Sequence, residues 1–231
     1  MRAVFRWIGY ALLFALVAIL ALQFWYFAHI WYWADHNPGS TAFMRARLEV
    51  ESKDDPGAEL AHRWVSYDRI SRHLKRAVVA AEDDKFMDHS GFDWDAMRKA
   101  YERNVREGEI VAGASTIPQQ LAKNLFLTGR RSWWRKLQEA GITAMLEIML
   151  SKRRILELYL NVAEWGDGVF GAEAAARYHY GVSAAALTPA QSARLAVMLP
   201  SPRSYPPGRD TLYLRERTAA IMGRMQHARV P

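Results

Sequence analysis

Three acidic side chains, Glu82, Asp83 and Asp84, follow four apolar residues in the stretch VVAAEDDKFMDHSGFDWDAM. Each helical residue rotates the side chain by about 100°, which places Glu82 in the apolar stripe beside Phe86. The same rotation carries Asp83 and Asp84 toward the face that a packed helix gives to water. A carboxylate among apolar side chains is desolvated, so its pKa rises, as a general base or acid requires. The alternative is a helix end whose charges are all solvated.

A second carboxylate, Glu139, lies in RSWWRKLQEAGITAMLEIML, four residues after Arg135 and three after Lys136. On a helix, both cations share the face of Glu139. Leu146 and Leu150 project at similar angles, so this face is also partly apolar. Taken alone, the pattern favours an ordinary intrahelical salt bridge on a solvated face.

Amide and ammonium groups converge in GASTIPQQLAKNLFL, where Lys123 follows Gln119 by four residues and Gln120 by three. These spacings place the three side chains on one helix face near its N-terminus. Together with four Arg and Lys residues further along the chain, these side chains form a cationic region that could bind phosphate oxygens. A solvated basic face is the alternative. The downstream cations are Arg130, Arg131, Arg135 and Lys136.

Other catalytic arrangements are missing from the sequence. The chain has no cysteine, and therefore no thiol nucleophile, thiolate ligand or disulfide framework. It has no Gly-rich phosphate loop of the Walker or dinucleotide type. The 7 histidines show no HExxH or close-paired spacing, so each is interpreted as a surface or structural residue. Acid–base chemistry on carboxylates is what remains.

Helices must position these groups, because strand patterns are nearly absent and the sequence predicts a mainly α fold. Thr116 with Gln119, three residues later, predicts a capping box, and Thr188 before Pro189 predicts another helix start. The glycine-rich GDGVFG predicts a loop. The predicted helices cover DRISRHLKRAVVAAEDDKFMDH, a stretch ending at Gly108, a stretch from Thr116 to about Leu127, SWWRKLQEAGITAMLEIMLS, RRILELYLNVAEW, AEAAARYHY, TPAQSARLAVMLPS and DTLYLRERTAAIMGRMQHAR.

An apolar run from Trp7 to Trp33 contains no Asp, Glu, Lys or Arg. About 20 helical residues cross the hydrocarbon layer, so the run predicts one transmembrane helix with an aromatic cluster at its far end. Arg2 and Arg6 precede it, which by the positive-inside tendency keeps the N-terminus in the cytoplasm and sends residues 35–231 to the other side. A cleaved signal peptide is the alternative, but its short apolar region and small-residue cleavage site are not visible.

These patterns divide the chain into three predicted parts. Residues 1–34 form a cytoplasmic tip and anchor, residues 35–60 a juxtamembrane linker, and residues 61–231 a globular domain. The chain has 231 residues, of which 51% are hydrophobic, enough for one sizeable domain and an anchor. Its 31 Lys and Arg against 24 Asp and Glu give a charge of +7. This charge favours anionic lipid or a phosphorylated substrate, and the predicted topology excludes nucleic acid.

Four stretches, in order, resemble the successive motifs of glycosyltransferase family 51. They are EDDKFMDHSGFDWDAM, GASTIPQQLAKNLFL, the segment from RKLQEAGITAM to ARYHYG, and LAVMLPSPRSYPP. The whole chain, with one anchor and no second domain, is similar to the monofunctional biosynthetic peptidoglycan transglycosylases of Gram-negative bacteria. The resemblance implies a lysozyme-like helical domain on the periplasmic side of the inner membrane. It also implies polymerisation of lipid II into glycan strands and release of undecaprenyl pyrophosphate.

The same resemblance implies roles for individual residues. Glu82 would be the catalytic base and Glu139 a second essential carboxylate. No cofactor would be required. Glu139 would either orient the cations or bind a divalent ion, Mg²⁺ or Mn²⁺, that bridges to the phosphates, and the sequence leaves this open. The positions associated with the donor pyrophosphate and nearby sugars are Gln119, Gln120, Lys123, Arg131 and Lys136.

The chemistry of the implied reaction agrees with these residue types. An alcohol that displaces an α-linked pyrophosphate in one inverting step needs a base, and the leaving pyrophosphate needs positive charge instead of a proton donor. The implied partners are lipid II, the growing strand and membrane lipid, with cell-wall synthesis or division proteins as candidates. The alternatives are a lysozyme-like glycan-cleaving enzyme and a non-catalytic membrane-anchored scaffold of cell-wall assembly. The anchor and the cationic cluster favour the polymerising enzyme.

Overall fold

A computed structural model describes residues 2–109, 113–129 and 132–231, and most of them lie in α-helices. The prediction of a mainly α fold is confirmed. The helices are α1 Arg2–Tyr32, α2 Ala42–Asp54, α3 Arg72–Glu82, α4 Trp94–Glu107, α5 Ile117–Phe126, α6 Trp133–Met149, α7 Lys152–Val162, α8 Ala172–Tyr180, α9 Pro189–Met198 and α10 Leu212–Met225. The strands are β1 Ala61–His62, β2 Glu164–Gly166 and β3 Val169–Phe170.

The chain divides after His36 into two units, and the first consists of little more than α1. Within the described residues, one helical stretch, Val4–Tyr32, is long and apolar enough to cross a bilayer. This matches the predicted membrane anchor.

The second unit, Asn37–Pro231, holds all the other helices. The segment predicted as a linker, residues 35–60, contains α2, which packs against α5. Thr41 caps α2 through its hydroxyl, which accepts a hydrogen bond from the Met44 backbone amide at 3.1 Å. Part of the predicted linker therefore belongs to the same compact unit as the candidate site.

Two groups of packed helices form the framework around the site. The fully buried residues Leu74, Ala77 and Val78 give α3 an apolar face, and α3 packs against α9 and α10. Helix α5 packs against α6 and α7. Each of these helices begins at a hydroxyl cap, as at Ser71 of α3 and Ser132 of α6, because a side-chain oxygen satisfies an otherwise unpaired backbone amide.

The three short strands form one sheet in the order β1-β3-β2. Glu164 and Trp165, predicted as the tail of a helix, belong instead to β2. Gly171 follows the hairpin with φ of 84°, and a Cβ there would lie 2.7 Å from the Asn161 carbonyl oxygen. Only glycine fits this turn without a shift of the backbone. The sheet thereby holds Glu164 beside the C-terminal end of α7.

Candidate active site

Glu82 is the last residue of α3, and its side chain is mostly buried. Its Oε2 accepts a hydrogen bond from the Gln120 side-chain amide at 2.7 Å. Burial raises the pKa of Glu82, while the Gln120 hydrogen bond and the nearby charge of Lys123 oppose that rise. The predicted desolvation of Glu82 is confirmed.

Asp83 was predicted to face water, and this prediction is wrong. Helix α3 ends at Glu82, and Asp83 leaves the helix with φ of −160° and is 6% exposed. Its Oδ1 lies 2.8 Å from His89 Nε2, and its Oδ2 accepts from the Ile117 backbone amide at 3.0 Å. Asp83 therefore fastens the end of α3 to the first turn of α5. Asp84 is exposed, as predicted.

Gln120 connects Glu82 to a buried tyrosine. The Tyr159 hydroxyl donates to Gln120 Oε1 at 2.8 Å, while Gln120 Nε2 donates to Glu82. These two bonds fix which end of the amide faces the carboxylate. Burial, together with the charges of Glu82 and Asp83, raises the pKa of Tyr159 well above its usual range, so this hydroxyl stays a donor.

Gln119 performs a capping role at the start of α5. It is 3% exposed, and its Oε1 accepts from the Thr116 backbone amide at 3.0 Å. The Thr116 hydroxyl in turn caps the Gln119 backbone amide, which confirms the predicted capping box. The prediction that Gln119 and Lys123 share a face toward substrate is not supported by this placement.

Lys123, one turn after Gln119, reaches solvent. Desolvation of its ammonium by surrounding protein groups lowers the pKa of Lys123, and the negative charge of Glu139 opposes this. The charges of Arg135 and Lys136 lower the pKa further, and Glu82 raises it. The ammonium therefore lies in the fields of both candidate carboxylates.

Glu139 lies in the middle of α6 and is 4% exposed, so the solvated-face interpretation of it is wrong. Its Oε1 lies 2.5 Å from Lys136 Nζ, and its Oε2 lies 3.6 Å from an Arg135 guanidinium nitrogen. The Lys136 side chain is 48% exposed, so its ammonium remains accessible to a ligand. Arg131, predicted to bind substrate, lies outside the described residues.

Glu82 and its partner Gln120 line two different cavities. The main cleft has a volume of about 510 Å³ and is lined by Gln120 and Lys123 together with groups from α2, β2 and residues 199–204. The second cavity, of about 220 Å³, is lined by Glu82, Asp84 and Arg224, among others. The hydrogen-bonded pair of Glu82 and Gln120 therefore has one member on each cavity.

The residues around Glu139 do not fit a metal ion held by protein ligands alone. Within the described ranges, no three His, Asp or Glu side chains converge as a metal site would need. The Glu139 carboxylate is instead bound by Arg135 and Lys136. Whether Mg²⁺ or Mn²⁺ takes part stays a prediction.

Sequence reasoning missed three residues that line the main cleft: Tyr159, Asn124 and Glu164. All three lie in stretches that the sequence predicts as helical, where helix periodicity gives no sign of a pairing with another element. A weak signal existed in ILELYLN, where Tyr159 carries a hydroxyl within an apolar stripe and so needs a partner.

Comparison with known proteins adds independent observations. Residues 51–226 match the family model described as Transglycosylase. A biosynthetic peptidoglycan transglycosylase of Methylobacillus flagellatus is 60% identical over 220 residues, covering 95% of this chain and 96% of that protein. Proteins of the same name from Nitrosospira multiformis and Azoarcus sp. are 55% and 57% identical, covering 98% and 100% of this chain and the same shares of their own lengths.

Proposed function

The chain belongs to the transglycosylase family of peptidoglycan-synthesising enzymes, and we propose that it polymerises lipid II into glycan strands. It is a glycosyltransferase, and its relatives of matching length carry the name of that biosynthetic activity. The observation that carries the proposal is Glu82, a half-buried carboxylate with a raised pKa that accepts a hydrogen bond from Gln120, a residue of the main cleft.

Glu82 acts as the general base in this proposal. The 4-hydroxyl oxygen of an incoming lipid II attacks the anomeric carbon of the growing strand, and the hydroxyl proton passes to Glu82. The bond between that carbon and the lipid pyrophosphate breaks, and the pyrophosphate leaves with the electron pair. A single displacement inverts the α-linkage to a β-linkage. The raised pKa suits this role, since the carboxylate gains proton affinity from its buried position.

Lys123 stabilises the leaving pyrophosphate in the same scheme. It lies on α5 one turn from Gln120 and lines the main cleft. The charge that develops on the leaving group favours the ammonium form of Lys123 and is stabilised by it. Lys136 and Arg131 supply further positive charge, as the motif resemblance implies.

Glu139 holds the cations in position. Its carboxylate lies between Lys136 and Arg135 and its charge acts on Lys123. Without it, three like charges would repel one another and spread apart. Turnover that persists after chelation of Mg²⁺ and Mn²⁺ would support this orienting role over the divalent-ion alternative.

The anchor places the enzyme at its lipid substrate. Val4–Tyr32 spans the inner membrane, the N-terminus lies in the cytoplasm, and Asn37–Pro231 lies in the periplasm. Protease added to spheroplasts should therefore degrade the second unit. Protection of that unit would contradict the orientation.

One experiment tests the proposed reaction directly. Purified full-length protein is incubated with lipid II alone, and the products are sized, with Glu82→Gln as the inactive comparison. Polymeric glycan from the parent protein supports the proposal. Cleavage of preformed glycan without any synthesis would replace it with the glycan-cleaving alternative.

A further inference from the structure

Another cluster of positive charge lies at the start of α3, apart from the residues of the proposed reaction. It surrounds a cavity of about 360 Å³ between the first turns of α3 and the segment that follows α10. This volume lies within the range of small-ligand sites. Among the described residues, no acidic side chain lines the cavity. We call it the arginine cavity after its cationic lining, which consists of Arg72, Arg76, Arg229 and the ring of His227.

Two of these arginines have no partner in the protein. Arg72 and Arg76 lie four residues apart on α3, so their side chains share one face of the helix. Within residues 2–109, 113–129 and 132–231, neither guanidinium forms a hydrogen bond or an ion pair. The Nε atom of Arg76 is buried and still lacks an acceptor. Buried donors nearly always have one, so the cavity is missing an acceptor beside this nitrogen.

The placement of the two arginines costs stability in two further ways. Like charges four residues apart on a helix repel each other. Arg72 is also the first residue of α3, where the positive end of the helix dipole disfavours a cation. The first turn of α3 holds no acidic residue that could offset these effects. An anion bound in the cavity would relieve both costs and would supply the acceptor for Arg76.

The opposite wall of the cavity is formed by residues that the fold holds in place. The Arg229 guanidinium pairs with the Asp88 carboxylate. Ala228, beside it, is buried. The Tyr67 hydroxyl donates a hydrogen bond to the Pro231 carbonyl oxygen at 2.6 Å. The segment that follows α10 is therefore fixed on both sides of the cavity, which gives a ligand a preformed wall.

The charge of the cavity indicates which anion fits. Because Asp88 balances Arg229, the unpaired guanidiniums of Arg72 and Arg76 leave a charge of about +2, which arginine keeps at any ordinary pH. A phosphate monoester carries about −1.5 to −2 at neutral pH and has three acceptor oxygens, so one phosphate can bridge and neutralise both groups. A carboxylate carries a single charge and would leave one guanidinium uncompensated.

We propose that the arginine cavity binds a phosphate monoester. Its oxygens bridge Arg72 and Arg76, and the group that carries the phosphate packs against Met87 and Val230, which also line the cavity. A soluble phosphate ester and a lipid headgroup that ends in phosphate share this chemistry. The arginine cavity and the main cleft have no lining residue in common, so the site does not depend on the proposed reaction.

The test measures binding of inorganic phosphate to the full-length protein in a neutral detergent by calorimetry, at constant ionic strength. The parent should bind, and Arg72→Gln and Arg76→Gln should each weaken binding by about tenfold or more, the effect of losing a hydrogen bond to a charged group. The matched control is Arg217→Gln, which removes an exposed arginine of α10 outside the cavity and should bind like the parent. No binding by the parent, equal binding by all variants, or tighter binding of acetate than of phosphate overturns the proposal.

The melting temperature separates a ligand site from a structural role. Phosphate should raise the melting temperature of the parent and of Arg217→Gln, because a ligand that binds only the folded state stabilises it, but not that of Arg72→Gln or Arg76→Gln. In phosphate-free buffer, Arg72→Gln should melt no lower than the parent, since its charge has no partner to lose. A lower melting temperature would assign Arg72 to the fold and overturn the site. If Arg76→Gln does not fold, the exposed Arg72 decides the matter.

A second arm identifies the source of the phosphate. The parent and Arg76→Gln are reconstituted in phosphatidylcholine vesicles, with or without phosphatidic acid, and titrated with glycerol 3-phosphate. If phosphatidic acid abolishes binding of glycerol 3-phosphate to the parent, the site takes a lipid headgroup. If binding is the same in both kinds of vesicle, the site takes a soluble ester. Both results support the site, whereas binding that Arg76→Gln leaves unchanged overturns it.

Discussion

Glu82 and Glu139 are both helical carboxylates whose charges act on Lys123, the first half-buried and the second buried, but their partners differ. Glu82 ends α3 and receives one hydrogen bond from a neutral amide, that of Gln120. Glu139 lies within α6 and is bound by the cations of Lys136 and Arg135. Burial removes water from both groups, so the partner decides what each can do.

The difference suits Glu82 to its proposed role as base and Glu139 to its proposed role as positioning residue. A neutral amide stabilises a carboxylate only in part, so burial dominates and the pKa of Glu82 rises. Two cations compensate the charge of Glu139 directly, and in exchange the carboxylate fixes where those cations lie. Variants that remove each carboxylate, or exchange its partner, should therefore have different effects on rate, stability and pH dependence.

The largest effect should follow from Glu82→Gln, which keeps the shape of the side chain and removes its basicity. We expect a loss of lipid II polymerisation of about 10²–10⁴-fold, the usual contribution of a general base. Asp84 lies two residues after Glu82 and is exposed, so Asp84→Asn should retain nearly full activity. Rates are compared in folded, membrane-reconstituted protein. A Glu82→Gln variant that polymerises at a near-parental rate would contradict the base assignment.

The charges of Glu82 and Glu139 both act on Lys123. Removal of the Lys123 ammonium should give the second-largest loss of activity. Lys123→Ala should lower turnover by about 10²–10³-fold, the effect of losing one stabilising group at a developing charge. Because the side chain reaches solvent, the free energy of unfolding should change by less than about 0.5 kcal/mol. Lys53→Ala, an exposed lysine of α2, is the control. A large fall in the melting temperature would assign Lys123 to the fold instead.

Glu139→Gln should lower turnover by up to about 10²-fold, because the cations it holds would shift from the leaving group. The control is Glu147→Gln on the same helix, whose carboxylate is also buried and pairs with Lys152 at 2.7 Å. Both variants should lose some stability, but only Glu139→Gln should lose activity. If the two variants lost activity equally, both ion pairs would serve only the folding of α6, and the proposed positioning role of Glu139 would be wrong.

Local features of this fold could be predicted from sequence, and long-range features could not. The caps at Thr116 and Thr188 depend on residues three positions apart, and both are present. Helix periodicity correctly predicted the desolvation of Glu82, but it extended the helix through Asp83, which instead leaves α3 and bonds to His89 and Ile117. The end of the helix at Glu82 depends on contacts with residues distant in the sequence, and hydrophobic periodicity gives no information about such contacts.

The small sheet and the pairing of Tyr159 with Gln120 are two further features that could not be predicted from the sequence. Strands of two or three residues carry too few positions for an alternating pattern, so β2 was predicted as the end of a helix. Gln120 and Tyr159 are 39 positions apart, and no spacing rule joins them. The sequence pattern could therefore predict the desolvation of Glu82, whereas the burial of Glu139 and the amide and hydroxyl that connect to Glu82 needed the structure.

Gln120→Met tests whether the neutral partner sets the proton affinity of Glu82. The Gln120 hydrogen bond lowers the pKa of Glu82, so its loss should raise that pKa further. A base must be deprotonated, and activity rises with pH as Glu82 loses its proton. The acid limb of the pH–rate profile should therefore move to higher pH, with about a tenfold loss of rate at the parental midpoint. Glu139→Gln should leave the position of this limb unchanged.

The smallest effect should come from Tyr159→Phe, which removes only the hydroxyl that orients the Gln120 amide. The amide then loses a 2.8 Å hydrogen bond and can rotate, so that its oxygen faces the Glu82 carboxylate for part of the time. We expect about a fivefold loss of rate at most, together with a small shift of the acid limb in the same direction as in Gln120→Met. The pH–rate profile of the double variant gives the decisive comparison. If Tyr159 acts through Gln120, adding Tyr159→Phe to Gln120→Met should change nothing more, whereas independent effects would show that Tyr159 acts on Glu82 or on the substrate by another route.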